Sequence, residues 1–383
     1  MKLRNIDIFS PLVIVGVIFC FLVLAQLGIF YGMMGLKQVS SLTYIYIIYG
    51  VSIFIIGIIV AKVIEKRIFK RKNFESNFNT LLDRINRNRY FTRKIMLILV
   101  FIPLCLQLVN LYLMGGIPLF SGVLKAQAFN FLTVISFIIF LPAINILIAK
   151  FYKKRYFLIV FIGVLLFAAT GYRATTLAIV LSVLITTYYI NGNRFRYFLI
   201  LTPVILILGL ILGYITCMSI EWQNWHVNPM SLIFIRAGYT LTVLDKIIHL
   251  HNPHPGLLTY TVLTGFFTNV DPRLVLGGFV FKYDVSITST IFGPAVLELG
   301  FIGLGLQMFF MGLVLELFHI VEKVKKGIYT GVYAIGIAQT IIWVETGPMD
   351  LAMWIYYLGI ILFLIQGTIR MNRSFKNQSS ISE

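Results

Sequence analysis

Long, uninterrupted apolar runs constrain this chain more than any other feature of its sequence. About ten of them are close to 20 residues long, which is the length that an α-helix needs to cross a bilayer. Hydrophobic residues fill 59% of the 383 positions and charged residues only 12%, unlike a soluble domain. Because lipid offers backbone groups no hydrogen-bond partners, each crossing should be helical. The predicted spans are Ser10–Phe30, Ser41–Val63, Ile95–Met114, Phe129–Ala149, Tyr156–Thr170, Ala174–Ile190, Tyr197–Cys217, Phe301–Val321, Ile328–Val344 and Leu351–Ile369.

These runs predict an all-α polytopic membrane protein, with about ten transmembrane helices in a single multispanning domain over residues 1–383. The first run follows two basic residues, as a secretory signal does. It is too long for the core of such a signal and no small-residue cleavage site follows, so we interpret it as an uncleaved helix. The run Tyr156–Thr170 is short, and we expect its first turn to extend into Lys153–Tyr156.

Basic residues are divided unequally between the two sides of this arrangement. With the N-terminus in the cytoplasm, 25 of the 32 lysines and arginines fall on the inner side. This positive-inside bias predicts a cell-membrane protein with both termini in the cytoplasm, and it explains the net charge of +18 without nucleic acid. The outer side is neutral, with the basic residues Lys37, Lys125, Arg173, Arg236, Lys246, Arg273 and Lys282 and the acidic residues Glu221, Asp245, Asp271, Asp284, Glu298, Glu345 and Asp350.

Three segments are more polar than the rest. Residues 62–94 form a basic cytoplasmic loop that is expected to contact anionic lipid, and residues 372–383 form a flexible cytoplasmic tail. Residues 218–288 form a large extracytoplasmic loop, and loops of this length are usually functional. Within it, Ser231–Ile248 and Leu257–Val280 are predicted to be interfacial helices, the second interrupted at Asp271-Pro272-Arg273.

Three outer arginines adjoin apolar sequence: Arg173, Arg236 and Arg273. Arg173 belongs to Gly171-Tyr172-Arg173, which separates two apolar runs and predicts a hairpin at a membrane face. The planar fork of a guanidinium suits phosphate and diphosphate, so convergence of the three would create a site for a lipid-linked diphosphate. Alternatively, Arg173 caps the hairpin, Arg236 pairs with Asp245 or extends towards water, and Arg273 completes a turn.

Glu298 lies in an otherwise apolar stretch, where an unpaired carboxylate is costly, so an arginine partner is expected. Gly293-Pro294 is a candidate for a break that leaves a re-entrant piece before the helix. The outer histidines are candidates for a general base or plain interfacial residues, and the prolines beside His254 disfavour a zinc site. His319 is interpreted as structural. The outer histidines are His226, His249, His251 and His254.

Nucleotide and hydrolase motifs are absent from the sequence: there is no GxxxxGK[ST], no GxGxxG after a strand, no HExxH and no GxSxG. The three cysteines form no CxxC pair and are interpreted as packing residues. If the chain is an enzyme, its substrate must therefore carry its own activated bond, and no cofactor is expected.

Three segments on the outer side carry a resemblance to a known family. Gly115-Gly116-Ile117-Pro118-Leu119-Phe120 follows the third run, Gly171-Tyr172-Arg173 precedes a run that ends in Thr187-Tyr188-Tyr189, and Thr288 to Gly300 follows the large loop. In this order and topology, the chain resembles the O-antigen polymerases, which join oligosaccharide repeat units. The resemblance extends over nearly the full length.

The resemblance implies a metal-independent, membrane-embedded glycosyltransferase. Its substrate would be an oligosaccharide on polyprenyl diphosphate, transferred to the sugar of the next lipid-linked unit in surface polysaccharide synthesis. Its surroundings would include membrane lipid, a flippase and a chain-length regulator, with no nucleic acid. On this basis, Arg173 and Arg236 would hold the diphosphate, with Arg273 as a weaker third, and His254 or Glu298 would be the base. The expected substrate-binding residues are Arg273, Lys125, Gly115, Gly116, Tyr172 and Tyr239, and Trp222 and Trp225 are further candidates for stacking on sugars.

Two alternatives share the same class of substrate. A ligase would move the glycan to a different acceptor, and a flippase would carry the lipid-linked sugar across the membrane. A flippase is expected to have charges along a central cavity, whereas the predicted helix centres here are nearly free of charge. That distribution favours chemistry at one membrane face.

Overall fold

A computed structural model of the chain describes residues 7–69, 80, 82–83, 86, 91–128, 130–191, 203, 207, 209–211, 213–215, 218, 227–250, 253–268, 270–282 and 285–349. All regular secondary structure in these residues is helical, and none of them lies in a strand. Two short 3₁₀ turns lie at Met33–Gly35 and Pro118–Phe120. The α-helices are α1 (Val13–Phe30), α2 (Ser41–Phe69), α3 (Arg93–Leu113), α4 (Gly122–Gln127), α5 (Phe131–Phe151), α6 (Tyr156–Ala168), α7 (Arg173–Ile190), α8 (Pro229–Ile248), α9 (Leu257–Thr268), α10 (Pro272–Phe281), α11 (Gly293–Val324) and α12 (Ile328–Thr346).

Seven of these helices are long and apolar enough to cross a membrane: α1, α2, α3, α5, α7, α11 and α12. The all-α, multi-pass membrane architecture predicted from the sequence is therefore confirmed. Predicted span Tyr197–Cys217 is described only at scattered positions. Several predicted features lie outside the described residues: the span Leu351–Ile369, the tail 372–383, most of the basic loop, Trp222, Trp225, His226 and His251.

Three helices differ clearly from their predicted bounds. Helix α2 continues to Phe69 rather than ending at Val63, so the first residues of the predicted basic loop 62–94 are helical. Helix α6 has 13 residues and begins at Tyr156, so the predicted extension into Lys153 is wrong. Residues 153–155 are exposed and belong to the turn between α5 and α6, so α6 starts only at Tyr156. Helix α11 begins at Gly293, well before Phe301, and Gly300 interrupts it with a φ of 60° and a ψ of −140°. The break in the helix therefore follows the Gly293-Pro294 piece rather than lying at the proline.

The outer loop contains helices close to those predicted. Helix α8 covers Pro229–Ile248, and α9 and α10 replace the predicted segment Leu257–Val280. The interruption between them is confirmed, because Asp271 accepts a hydrogen bond from Arg273 N and Pro272 is the first residue of α10. Their placement at the membrane interface stays a prediction.

Close helix packing depends on glycines. Helix α2 packs along α11, where a Cβ at Gly57 would overlap the carbonyl oxygen of Phe309 and one at Gly312 would overlap that of Phe54. Similarly, a Cβ at Gly28 on α1 would overlap the carbonyl oxygen of Phe234 on α8. Since apolar burial does not drive helices together in lipid, this backbone proximity supplies van der Waals contact that larger residues would prevent.

A buried polar group ties the central helices together. The Asn145 side-chain amide on α5 donates to Leu141 O at 2.8 Å and to Ser182 Oγ at 2.9 Å, and Asn145 Oδ1 accepts from Thr186 Oγ1 at 2.7 Å. All three hydrogen bonds of the Asn145 amide lie in the apolar interior, where no water competes for them. The network fixes α5 against α7, the helix that begins with Arg173.

At the end of α7 far from Arg173, the chain before α1 inserts into the bundle. Asp7 accepts hydrogen bonds from Tyr189 Oη at 2.9 Å and from His319 Nε2 at 2.7 Å. The His319 ring also stacks on Tyr333, and only 2% of its side chain is exposed. These contacts fit the structural interpretation of this histidine.

Asp245 on α8 holds the start of α2. Its Oδ1 accepts hydrogen bonds from Ser40 N at 3.0 Å, Ser40 Oγ at 2.6 Å and Thr43 Oγ1 at 2.6 Å. Burial disfavours the carboxylate, but the hydrogen bonds outweigh it and keep the pKa of Asp245 below its usual value. Asp245 is therefore not the partner of Arg236, and that alternative is wrong.

Replacing Asn145 with Leu should lower stability by about 1–2 kcal/mol, because it removes the hydrogen bonds between α5 and α7 without leaving a large void. Thermal unfolding in detergent measures the change. Leu158→Ala is the control, since Leu158 on α6 is 64% exposed. Equal melting temperatures for the two variants would show that the Asn145 network contributes nothing to stability.

Replacing Asp245 with Asn should lower stability by about 1–2 kcal/mol at neutral pH, because charged acceptors make the stronger hydrogen bonds. A group whose folded pKa is depressed contributes stability above its unfolded pKa, near 3.8, and loses it as the pH falls through the folded pKa. The difference in melting temperature between wild type and variant should therefore shrink below about pH 4. A difference that stays constant down to pH 3 would contradict this explanation.

Candidate functional site

Two of the three predicted arginines meet on one carboxylate. Glu345 Oε1 lies 2.6 Å from Arg173 Nη2 and 2.7 Å from Arg236 Nε. We call these three residues the arginine cluster. Their side chains are 24%, 42% and 34% exposed for Arg173, Arg236 and Glu345, so the cluster is accessible from its surroundings. It joins α7, α8 and α12 at one end of the bundle.

The predicted hairpin places Arg173. Helix α6 ends at Ala168, Gly171 adopts a φ of 75°, and Arg173 is the first residue of α7. A positive φ at this position favours glycine and turns the chain tightly between the two helices. Arg173 thus begins a helix and also forms an ion pair, so a role limited to capping does not describe it.

The three segments that carry the family resemblance adjoin one another. Leu119 N donates to Ala169 O at 2.9 Å, and the Tyr172 hydroxyl donates to Lys125 O at 3.2 Å, so the first segment docks on the hairpin. Thr290 N of the third segment donates to Glu345 O at 3.3 Å. The sequence order alone did not predict that all three converge beside the arginine cluster.

The turn after Glu345 is closely packed. Gly347 has a φ of 76°, and a Cβ there would lie 2.8 Å from Thr290 O. A larger residue would be strained by its backbone conformation and by this contact. The end of α12, and with it the backbone of Glu345, is therefore held by the segment from Thr288 to Pro294.

Arg273 adjoins the hairpin without contacting the carboxylate of Glu345. Its Nε lies 3.1 Å from Asp271 Oδ1, and its guanidinium lies 5.5 Å from the ring centre of Tyr172. The ion pair agrees with the alternative that Arg273 completes a turn. Burial raises the pKa of Tyr172 to about 12, so its hydroxyl stays protonated beside the arginines.

Glu298 and His254 lie near each other but outside the arginine cluster. Glu298 accepts hydrogen bonds from Thr259 N and, at 2.8 Å, from Thr259 Oγ1. His254 N donates to Leu297 O at 2.9 Å, and its ring packs on Phe279 with centres 4.6 Å apart. Among the described residues neither side chain forms an ion pair with an arginine.

The expected arginine partner of Glu298 is therefore wrong. Thr259 lies in the first turn of α9, where backbone N–H groups have no partner within the helix. A carboxylate satisfies such a group and interacts favourably with the helix dipole, so the apolar surroundings do not require a cation. The N-terminus of α9 provides the compensation that an arginine was expected to supply.

The remaining predicted residues lie around this end of the bundle. Gly115 has a φ of 70°, and Gly116 faces the side chain of Leu124. Aliphatic carbons of Lys125 lie 3.3 Å from where a Cβ of Gly171 would be. The Tyr239 ring stacks on Phe281 with centres 6.0 Å apart and is 39% exposed.

Sequence reasoning missed Glu345 as a site residue. The signal was present, because Glu345 is an acidic residue at the end of an apolar run, as Glu298 is. The described part of the predicted span Tyr197–Cys217 also contributes to the site. A Cβ at Gly213 would lie 3.3 Å from Arg173 Nη1, so glycine leaves room for the guanidinium.

No three His, Cys, Asp or Glu residues in the described part of the chain are arranged to hold a metal ion. The electrostatics of the site rest instead on guanidinium groups. Arg173 and Arg236 both bond Glu345 through their guanidinium groups, and Arg273 is paired with Asp271. This arrangement can bind an oxyanion.

Comparison with known proteins identifies the family of the chain and does not assign individual site residues. Two uncharacterised proteins of Methanocaldococcus jannaschii are similar: MJ0420 is 30% identical over 243 residues, which cover 63% of this chain and 58% of that protein. MJ0419 is 28% identical over 286 residues, covering 73% of this chain and 78% of that protein. No protein of known structure matches the chain. The family described as "Putative O-antigen polymerase" matches residues 7–357, nearly the whole chain, and the protein belongs to this family.

Proposed function

We propose that the protein polymerises lipid-linked oligosaccharide repeat units at the extracytoplasmic face of the cell membrane. The observation that carries the proposal is the arginine cluster, in which two guanidinium groups from different helices share one carboxylate oxygen. Donors that converge on one oxyanion are already placed to bind another, such as an oxygen of a diphosphate. Membership of the O-antigen polymerase family supports the same substrate class.

The proposed step is glycosyl transfer between two polyprenyl-diphosphate-linked units. The bond between the anomeric carbon and the diphosphate oxygen breaks, and its electron pair leaves with the diphosphate. A sugar hydroxyl of the next unit forms the new bond to the anomeric carbon and loses its proton to a base. Arg173 and Arg236 would stabilise the charge that develops on the leaving diphosphate, with Arg273 as a weaker third cation.

Two residues are candidates for the general base, His254 and Glu298. The two residues are close to one another, since His254 N bonds the carbonyl of Leu297. A catalytic base needs a free acceptor within hydrogen-bond reach of the sugar hydroxyl. Both oxygens of Glu298 already accept hydrogen bonds from Thr259, which favours His254 for this role.

Other residues around the cluster suit a sugar substrate. The exposed face of Tyr239 offers an apolar surface on which a sugar ring can stack. Lys125 and the glycines Gly115 and Gly116 would line the mouth of the site beside Tyr172. In this proposal the partners are membrane lipid, a flippase that delivers the units and a chain-length regulator, and the chemistry requires no metal or other cofactor.

The positions of the charged groups favour transfer over transport. In the described residues, ion pairs gather at the two ends of the bundle: Arg173, Arg236 and Glu345 at one, and Asp7 and His319 at the other. The interior of α5 and α7 between them is joined by the neutral side chains of Asn145, Ser182 and Thr186. A carrier of an anionic diphosphate would require cations along its path.

Replacing Arg173 or Arg236 with Ala should reduce polymerisation by about 10²–10³-fold, because each removes one group that stabilises the leaving diphosphate. Lys should restore only part of the activity, since it keeps the charge but not the planar fork. The measurement is surface-glycan length in a host without its own polymerase, at equal protein level. Arg155→Ala, at the exposed turn before α6, is the control. Wild-type chains in the Arg173→Ala strain would remove Arg173 from the mechanism.

In the same host, deletion of the protein should leave single glycan units at the cell surface. A polymerase acts after the units have crossed the membrane, so their delivery continues without it. The measurement is the side of the membrane on which the lipid-linked units accumulate. Accumulation only on the cytoplasmic side would instead identify a flippase.

Purified protein in lipid nanodiscs should polymerise lipid-linked units equally well with and without EDTA, because guanidinium groups take the role that a metal has in many enzymes that act on phosphates. The measurement is product length after a fixed time. Activity that is lost in EDTA and restored by a divalent cation would contradict a metal-independent mechanism.

A further inference from the structure

The arginine cluster already holds an anion that belongs to the protein itself. Glu345 Oε1 lies between Arg173 Nη2 and Arg236 Nε, the position that a phosphate oxygen would occupy. Those two donors cannot serve a carboxylate and a diphosphate at full strength at the same time. The following inference rests on the proposed function, because it takes the diphosphate as the ligand of this site.

The contacts between Glu345 and the two arginines are weak enough for a ligand to replace them. Only one carboxylate oxygen is engaged: within the described residues, Oε2 makes no hydrogen bond. The side chain is 34% exposed, so water can solvate it once it leaves the arginines. Ion pairs between partly exposed side chains contribute little to stability, because water competes for both partners.

The backbone beneath Glu345 is fixed. Thr290 N bonds the carbonyl of Glu345, and Gly347 packs against Thr290 O with no room for a side chain. Release of the carboxylate therefore requires rotation of the Glu345 side chain only, while α7, α8 and α12 stay in place. The two arginines would remain where the ligand needs them.

We propose that Glu345 is an internal competitor of the diphosphate, which occupies the arginine pair in the empty site and is displaced when the lipid-linked substrate binds. In the empty site it offsets the repulsion between two guanidinium groups. It also weakens ligand binding, because the apparent dissociation constant equals the intrinsic value divided by the fraction of molecules in which the site is open. Every anion that displaces Glu345 is weakened by the same factor.

The competitor has a use after the transfer. The product diphosphate is held by the same arginines as the substrate and must leave before the next cycle. When Glu345 returns to the arginines, it replaces the hydrogen bonds that they lose with the product. This exchange speeds release of the product diphosphate. Removing its charge should therefore tighten binding and slow turnover together.

The test uses the full-length protein in nanodiscs and measures binding of inorganic pyrophosphate and inorganic phosphate by titration calorimetry. Glu345→Gln keeps the size of the side chain and removes its charge. We expect it to bind both anions about tenfold more tightly than wild type, by the same factor for each, which corresponds to about 1.4 kcal/mol. Glu345→Asp should lie closer to wild type, and Glu65→Gln on α2 is the control for loss of a carboxylate elsewhere.

If Glu345 only positions the arginines, the opposite result is expected. Glu345→Gln and Glu345→Ala would then bind pyrophosphate more weakly, and either that result or unchanged affinity overturns the inference. Thermal unfolding of each variant identifies loss of folding as a separate cause. In the polymerisation assay, Glu345→Gln should lower both KM and kcat, whereas a purely structural role would lower kcat without lowering KM.

The arginine variants separate this inference from the proposed function. If Arg173→Ala abolishes pyrophosphate binding and Glu345→Gln does not tighten it, the diphosphate site stands and the internal competitor is wrong. If wild type, Arg173→Ala and Arg236→Ala bind pyrophosphate equally, or none binds it, the proposed diphosphate site itself is wrong.

Discussion

Two guanidinium groups at the end of a helical bundle repel each other unless an anion lies between them. Glu345 supplies the anion, and a single oxygen serves Arg173 and Arg236. Since the three residues come from α7, α8 and α12, this one requirement joins the start of α7 and the end of α12 to the middle of α8. An exposed loop alone would not hold them with this accuracy.

The rest of the bundle keeps these helices in register. Asn145 ties α5 to α7 below Arg173, and α12 packs against both helices. Asp245 holds α8 against the start of α2 through Ser40 and Thr43. These polar contacts are directional and are buried or partly buried, so each fixes a register that apolar packing between similar side chains would leave less defined. The family segments around Leu119 and Thr290 add backbone hydrogen bonds at the site itself.

Hydropathy and length were sufficient to locate most of the described spans, because a bilayer imposes both on every helix. The arginines were recognisable for the same reason: Arg173 interrupts apolar sequence, which is costly without a function. Their partner was not recognisable. Glu298 and Glu345 give the same local signal, and 172 positions separate Arg173 from Glu345 along the chain. Only the packing of α12 against α7 decides between them, and the N-terminus of α9 accounts for the other carboxylate.

The charge balance of the site bears on which anions it suits. Arg273 is paired with Asp271, and Glu345 lies between Arg173 and Arg236. Displacement of Glu345 weakens the binding of a monoanion and of a diphosphate by the same factor, so the carboxylate itself does not discriminate between them. A diphosphate presents more negative charge and several more acceptor oxygens, and the planar forks of Arg173 and Arg236 can engage more than one of them. The paired guanidinium groups therefore favour polyanionic ligands, which is the discrimination that the proposed lipid-diphosphate substrate requires.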